Sequence, residues 1–258
     1  WDITADQLTP AQKATMDPQQ LAELQPGSGA DGLPQCLSNR YARWYNELAK
    51  RVRAVDPQGY VSVFAYTRFR KKPIGITLEP NLLVAYIGFN GYPRTPDQSK
   101  VDREHYLGWA APGVRMFVRP NTPHYVENGL PFMVAHEMGE DLKWCMQNGT
   151  FMMDVDSMIG HWASWGPSYY VWARQMWEGP AADPQAIIDE WYDGFGPAKA
   201  PVRAYYAFWE NHLKAAWSRP DQEQRFEELG RIWSGMRDNR TGRLLIIAEH
   251  YPPEAFQK

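Results

Sequence analysis

The sequence predicts an α/β protein, with four parallel strands followed by helix to the end of the chain. Three observations lead there. Four short segments carry strand alternation or a continuous apolar run. The links between them are too long for hairpins, and most show helical spacing. After Asp156 the pattern is helical almost throughout. Strands alternating with helices give right-handed βαβ units and a parallel sheet. A complete (β/α)8 barrel takes ~250 residues and eight strands. Four strands fit an open parallel sheet or part of a barrel, and not a whole one.

Residues 1–37 read as an irregular segment. Thr9-Pro10-Ala11 and Asp17-Pro18-Gln19 seed short helices, separated by Pro26-Gly27-Ser28-Gly29. Ser38 is placed to cap a helix whose apolar stripe is Tyr41, Trp44, Tyr45, Leu48, Ala49 and Val52. Asp56-Pro57-Gln58-Gly59 ends it in a turn.

The four strands are expected near 60–67, 82–89, 114–119 and 150–156. The first alternates Val61, Val63 and Ala65 against Ser62, Phe64 and Tyr66. The second, Leu82–Phe89, is apolar nearly throughout, as a strand covered on both faces would be. The third and fourth alternate again, with Met116 and Val118, then Met153 and Val155, on one side. Helices are expected over Val101–Trp109 and Leu130–Gln147. The Arg68–Asn81 link carries Pro73, Gly75 and Pro80 and should lack a regular helix.

Pro167–Trp177 begins the helical region. Asp183-Pro184 supplies an N-cap and a first-turn proline for the next helix, which Gly194, Gly196 and Pro197 stop. Further helices are centred on Val202–Trp217 and Phe226–Trp233. Arg243–Glu249 fits helix or strand, and Pro252-Pro253-Glu254 opens a last helix. The chain thus divides into an irregular segment (1–37), a β/α part (38–180) and a helical part (181–258).

Composition narrows the function classes. Lys+Arg is 27 against Asp+Glu 30, so no basic excess drives nucleic-acid binding. The longest apolar run is far below the ~20 residues of a membrane span. Cys36 and Cys145 can form one disulfide at most and lack metal-ligand spacing. His136-Glu137-Met138-Gly139-Glu140 lacks the second His of a zinc helix and reads as a solvated helix face. No cofactor loop is present in the sequence, and no cofactor or metal is expected. The 14 % aromatic content, with 12 Trp and 14 Tyr, suits either sugar-binding surfaces or a large aromatic core. The chain opens on Trp1 with no signal-like segment before it, so it is expected to be processed or an excerpt.

In parallel α/β sheets the site lies beyond the carboxyl ends of the strands. The residues there are Tyr66 and Arg68, Asn90 and Tyr92, Arg119 and Asn121, and Asp154 and Asp156. If Met116, Val118, Met153 and Val155 pack on helices, Arg119 and both acids face the interior or the site. A charge pointing inward is costly unless paired or working. A structural Arg–Asp ion pair is the plainer alternative. The stretch Gly160–Tyr170, read as a loop, packs His161, Trp162, Trp165, Tyr169 and Tyr170 beside those acids. That suggests a carbohydrate cleft, or else the start of a helix with core aromatics.

Several stretches together carry a family resemblance. They are Arg119-Pro120-Asn121 with His124; Asp154-Val155-Asp156-Ser157-Met158 with Gly160, Trp162-Ala163 and Gly166-Pro167; and Asp183 through Phe195-Gly196-Pro197-Ala198. Ser38-Asn39-Arg40-Tyr41, Tyr45-Asn46 and Tyr251-Pro252-Pro253-Glu254 fit as well. Over about residues 36–258 the chain resembles the bacterial family called domain of unknown function 4838. Its members are similar to (β/α)8 TIM-barrel glycoside hydrolases and are commonly exported. The resemblance implies the later half of such a barrel, with earlier strands upstream of Trp1, followed by a helical region. It implies an extracytoplasmic location and a carbohydrate substrate or ligand. The chain departs from many relatives in carrying Asp154 and Asp156 where they have a Glu-containing segment.

Two functions are therefore expected as alternatives. One is glycosidic-bond hydrolysis in a glycan or polysaccharide, with Asp156 and Asp154 as candidate catalytic carboxylates and Asp156 the more exposed; they form a pair, or one of them acts with a carboxylate from strands upstream of Trp1. Arg119, Asn121 and His124 would then orient sugar hydroxyls, with Tyr66, Arg68 and Asn90 beside them. Trp162 or Trp165 would stack on a ring. The other is a non-catalytic carbohydrate-binding or scaffold protein on a degenerate barrel.

Overall fold

The computed structural model describes residues 8–14, 21, 36–89, 92, 94–121, 130–156, 161–217 and 251–257. A short helix, α1 (Pro10–Ala14), precedes α2 (Ser38–Val55), β1 (Val61–Ala65) and β2 (Leu82–Tyr86). Then come α3 (Pro96–Trp109), β3 (Arg115–Val118), α4 (Ala135–Gln147) and β4 (Thr150–Met153). The chain continues through α5 (Trp162–Glu178), α6 (Pro184–Asp193) and α7 (Lys199–Trp217). The segments Asp17–Gln19, Phe226–Trp233 and Arg243–Glu249 lie outside the described residues.

The four strands form one sheet in sequence order, β1-β2-β3-β4, and every pairing is parallel. This is the arrangement expected of half a barrel with a helical part after it. The hydrogen-bonded ladder runs past the strand ends. Arg119 N donates to Tyr86 O (3.1 Å), Asp154 N to Val118 O (3.0 Å) and Asp156 N to Pro120 O (3.4 Å). Side chains beyond β3 and β4 therefore keep the strand alternation.

One face of the sheet is covered. Val63, Ala65, Leu82, Val84, Tyr86, Met116 and Val118 pack with Tyr45, Tyr106, Trp109, Met138, Leu142 and Trp172 from the helices. Tyr106 locks α3 to the sheet, its hydroxyl 2.7 Å from Thr150 Oγ1. The other face carries Phe64, Phe151 and Met152, all exposed at the outer strands, with Ala85 and Phe117 buried between them. A register shift between Met116 and Phe117 pairs them with Thr150 and Met152, leaving Phe151 as the extra residue.

The Arg68–Asn81 link has a single 3-10 turn, Thr67–Phe69, as its proline and glycine content requires. Two asparagines of α2 hold it down. Asn39 Oδ1 accepts from Ile74 N (2.7 Å), and its amide donates to Ile74 O (3.3 Å). Asn46 repeats the device with Glu79 N (2.9 Å) and Thr77 O (2.7 Å). Backbone groups that no helix satisfies are thus paired.

Several helix starts differ from expectation. Ser38 is the first residue of α2, not its cap; Leu37 occupies the cap position without a side-chain bond. Thr95 and Gln98 form a capping box that starts α3 at Pro96. Helix α4 begins at Ala135, later than Leu130. The Trp162–Tyr170 stretch is helix rather than loop, because α5 starts at Trp162 and carries Pro167 inside it. Pro167 has no N–H to offer Ala163 O. The Tyr206 hydroxyl donates to that carbonyl instead (2.9 Å). Asp183 caps α6 as its sequence implies, accepting from Gln185 N (3.1 Å).

A second cluster joins α4, α5, α6 and α7 through residues such as Val171, Ile188, Tyr192 and Tyr206, on both sides of position 180. Gly139 sits at this junction. A Cβ there would lie 2.8 Å from both Pro184 and Val171. Cys36 and Cys145 are buried free thiols. No helix among the described residues is long and apolar enough to cross a membrane.

Candidate functional site

The carboxyl ends of β3 and β4 bring three charged side chains together. Val118 and Val155 turn toward the helices, so Arg119, Asp154 and Asp156 lie on the opposite, open face. Arg119 Nη1 pairs with Asp154, and its Nη2 donates to Asp156 Oδ1 at 2.9 Å. One planar guanidinium thus spans two carboxylates on the neighbouring strand. Both acids remain reachable, with side chains 48 % exposed for Asp154 and 33 % for Asp156. The order reverses the expectation that Asp156 is the more open. Among the described residues β4 is the outermost strand of the sheet.

The end of β1 reaches the same region. Asn121 is buried, and its amide donates to the Tyr66 hydroxyl at 3.4 Å. Tyr66 follows β1 and Asn121 follows β3, so this contact crosses the end of β2. Arg68 lies in the 3-10 turn after Tyr66, partly buried, and its carbonyl accepts from Leu37 N (2.7 Å). Asn90 and His124 lie outside the described residues.

The two tryptophans part company. Trp162, the first residue of α5, is 57 % exposed. Trp165 is fully buried between Phe132 and Tyr169, with ring centroids at 5.0 and 5.8 Å. As packed here it offers no face to a sugar. One helical turn separates the two, and the inner position belongs to the core.

His136 is not on a solvated face. Its Nδ1 lies 2.9 Å from Glu210, which also takes Lys214, so the imidazole fastens α4 to α7. Those contacts hold the Glu210 carboxyl below its usual range, against the opposing effect of its burial.

A second charge cluster escaped the sequence reading. Arg94, between β2 and α3, has a side chain only 4 % exposed. It pairs with Asp102 (2.9 Å) and Asp141, and its backbone N–H donates to Glu137 Oε1 (2.8 Å). The guanidinium also lies over the Phe89 and Tyr92 rings, 4.9 Å from each. Tyr92 donates to Asp141 (2.9 Å). Burial pushes the Glu137 carboxyl up, against the pull of Arg94. This cluster faces the helix layer and ties α3 to α4. Beside it lies a small apolar cavity lined by Phe89, Tyr92, Met138, Cys145 and Trp172. The cavity is on the covered side of the sheet, where Val118, Pro120 and Met153, the chain neighbours of Arg119 and Asp154, also line it.

No curated protein and no solved structure matches this chain. The family described as Domain of unknown function (DUF4838) matches residues 27–207. The match takes in the sheet, the Arg119–Asp154–Asp156 cluster and α6, beginning before residue 36 and ending within α7. The chain belongs to the DUF4838 family.

Proposed function

We propose that the chain is a carbohydrate-active protein, a glycoside hydrolase or a piece of one, with Asp154 and Asp156 as its reacting carboxylates. The observation that carries this reading is the grip of Arg119 on both acids at the carboxyl ends of adjacent parallel strands. Glycosidic cleavage generally uses two carboxyl groups, ~5–5.5 Å apart for retention and ~6.5–9.5 Å for inversion. Residues i and i+2 of a strand share a face with their Cα atoms roughly 6.6 Å apart, and one guanidinium draws the two carboxyl groups together. A carboxylate paired to a guanidinium serves as base, nucleophile or acceptor of a sugar hydroxyl. Arg119 positions the pair; the buried Asn121 holds the Tyr66 hydroxyl; Trp162 is exposed and can stack on a ring. By the family resemblance, the work is done outside the cytoplasm.

A second reading is favoured by the same arginine. Both acids are engaged as acceptors by Arg119. A binding protein on a degenerate barrel would keep that arrangement. The two readings separate on a panel of polysaccharides and oligosaccharides presented to the full-length protein. The hydrolase releases new reducing ends and loses that activity in Asp156→Asn while still binding. The binder releases none, and Asp156→Asn weakens its binding.

A further inference from the structure

From two backbone outliers at the carboxyl end of the sheet we infer that Thr67 is a positioning residue of the Asp154–Asp156 site, holding Tyr66 as the wall that meets the same sugar from the far side. The inference rests on the carbohydrate reading above. Among the described residues, Thr67 (φ 45°) and Phe89 (φ 55°) are the two non-glycine residues with left-handed backbone. Thr67 lies two residues after β1 and Phe89 three after β2. Both therefore sit at the carboxyl ends of adjacent strands, the end that carries the acids. Left-handed backbone is costly for a β-branched residue and persists only where its surroundings impose it. Here they do. Phe69 N donates to Tyr66 O (2.9 Å), Arg70 N to Thr67 O (3.2 Å) and Leu37 N to Arg68 O (2.7 Å). The Phe69 ring stacks on Tyr41 with centroids 3.9 Å apart. Thr67 itself is exposed, so the strain secures no core contact of its own.

The ladder places Tyr66 relative to the acids. In a parallel pair, a residue whose N–H meets one carbonyl lies level with the next residue along that strand. Ile87 N donates to Ala65 O (2.9 Å), Arg119 N to Tyr86 O and Asp154 N to Val118 O. Tyr66, Ile87, Arg119 and Asp154 therefore form one row across the four strands. Asp156 N donates to Pro120 O, which sets Asn121 level with Asp156, one strand spacing of ~4.8 Å away. The Tyr66 hydroxyl accepts from Asn121 Nδ2 at 3.4 Å, so it meets the direct neighbour of Asp156 across the end of β2. Phe89 keeps that crossing clear. Strand alternation would set its ring on the face opposite Tyr86. The left-handed turn sends it instead into the helix-side core, 5.5 Å from the Tyr86 ring. A sugar ring over Asp156 then has Arg119 and both acids on one side and the Tyr66 phenol on the other. A phenol offers that ring an apolar face and a hydrogen-bonding edge. Fixed in advance, it loses little freedom when the ligand arrives. Thr67 acts through its backbone, and Tyr66 makes the contact.

The full-length protein is assayed for reducing-end release from soluble β-glucan, xylan, mannan and glycol chitin, and for retardation in gels that hold them. Tyr66→Phe removes the hydroxyl, and Thr67→Pro forces φ to about −65°. On the polymer handled best, each should lower cleavage or retardation about tenfold, the worth of one ligand hydrogen bond. The double variant should also lose no more than about tenfold, because Thr67 acts through Tyr66. Thr67→Asn, which tolerates left-handed backbone, should restore what proline removes. Losses that multiply to about a hundredfold in the double variant would overturn the inference. So would full activity in either Tyr66→Phe or Thr67→Pro, or no rescue by asparagine. A Thr67→Pro variant that no longer folds by circular dichroism would assign the turn to stability alone and overturn it too. Activity that Asp156→Asn abolishes and both other variants keep would overturn the inference and leave the proposed function standing. No release and no retardation with any of these polymers would overturn both.

Discussion

The guanidinium of Arg119 donates to Asp156 at 2.9 Å across two adjacent parallel strands while it also holds Asp154. Removing it should separate function from stability. Exposed ion pairs contribute only ~0–1 kcal/mol. Arg119→Met should therefore shift the urea-unfolding free energy by less than about 1 kcal/mol. Glycan cleavage or binding should fall more than tenfold, since both carboxylates lose their orientation. A large loss of stability with function intact would make the cluster a structural clamp.

The Arg94 cluster should behave in the opposite way. Its side chain is 4 % exposed and paired with Asp102 and Asp141. Breaking a buried pair from one side strands the remaining charges and costs about 3–5 kcal/mol. Arg94→Met should lower the unfolding free energy by that order, read by chemical denaturation. A change under about 1 kcal/mol would show that water reaches those carboxylates.

These two clusters show what the sequence made legible. Arg119, Asp154 and Asp156 could be placed on one face because strand alternation is local, and the ladder past β3 and β4 preserves it. Their relative exposure could not, because it depends on what packs around each carboxyl and not on the alternation. Arg94 was missed because its partners lie on α3 and α4, at positions with no local pattern to mark them. The strands were legible and the helix starts less so. Pro167 reads from the sequence as the opening of a helix, so the part of Gly160–Tyr170 before it reads as loop, whereas α5 starts at Trp162. What allows the helix to run through that proline is a hydroxyl from Tyr206, far along the chain. Trp165 lost its place as a sugar platform for the same reason: in a helix it points into the core.

Tyr206→Phe tests that account of α5. The substitution removes one hydroxyl and leaves Ala163 O without its donor beside Pro167. Ala163 is exposed and the bond part-buried, so its loss costs about the 0.5–1.5 kcal/mol net of an ordinary hydrogen bond. Thermal unfolding should show a loss of that order. An unchanged melting temperature would mean that water substitutes for the hydroxyl.

His105 should make stability depend on pH. Desolvation by burial, helped by Arg70 and Lys71, lowers its pKa to about 4 from 6.5. The unfolded chain therefore binds this proton first as pH falls. The contribution is fully present above pH 6.5 and is lost between 6.5 and about 4. At 1.36 kcal/mol per unit, the full loss is on the order of 3 kcal/mol. Unfolding free energies at pH 7 and pH 4.5 should converge in His105→Gln relative to the wild type. An identical pH slope in both proteins would locate the acid sensitivity elsewhere.

The central claim is that Asp154 and Asp156 act on a glycosidic bond, and reducing-end release by the full-length protein tests it most directly. The panel is β-glucan, xylan, mannan, glycol chitin and their oligosaccharides. The wild type should release ends from at least one. Asp154→Asn and Asp156→Asn should each lose more than about a hundredfold, as expected for a group that takes part in proton transfer or attack, with folding unchanged by circular dichroism. Undiminished release by the Asp154→Asn/Asp156→Asn double variant would contradict the claim.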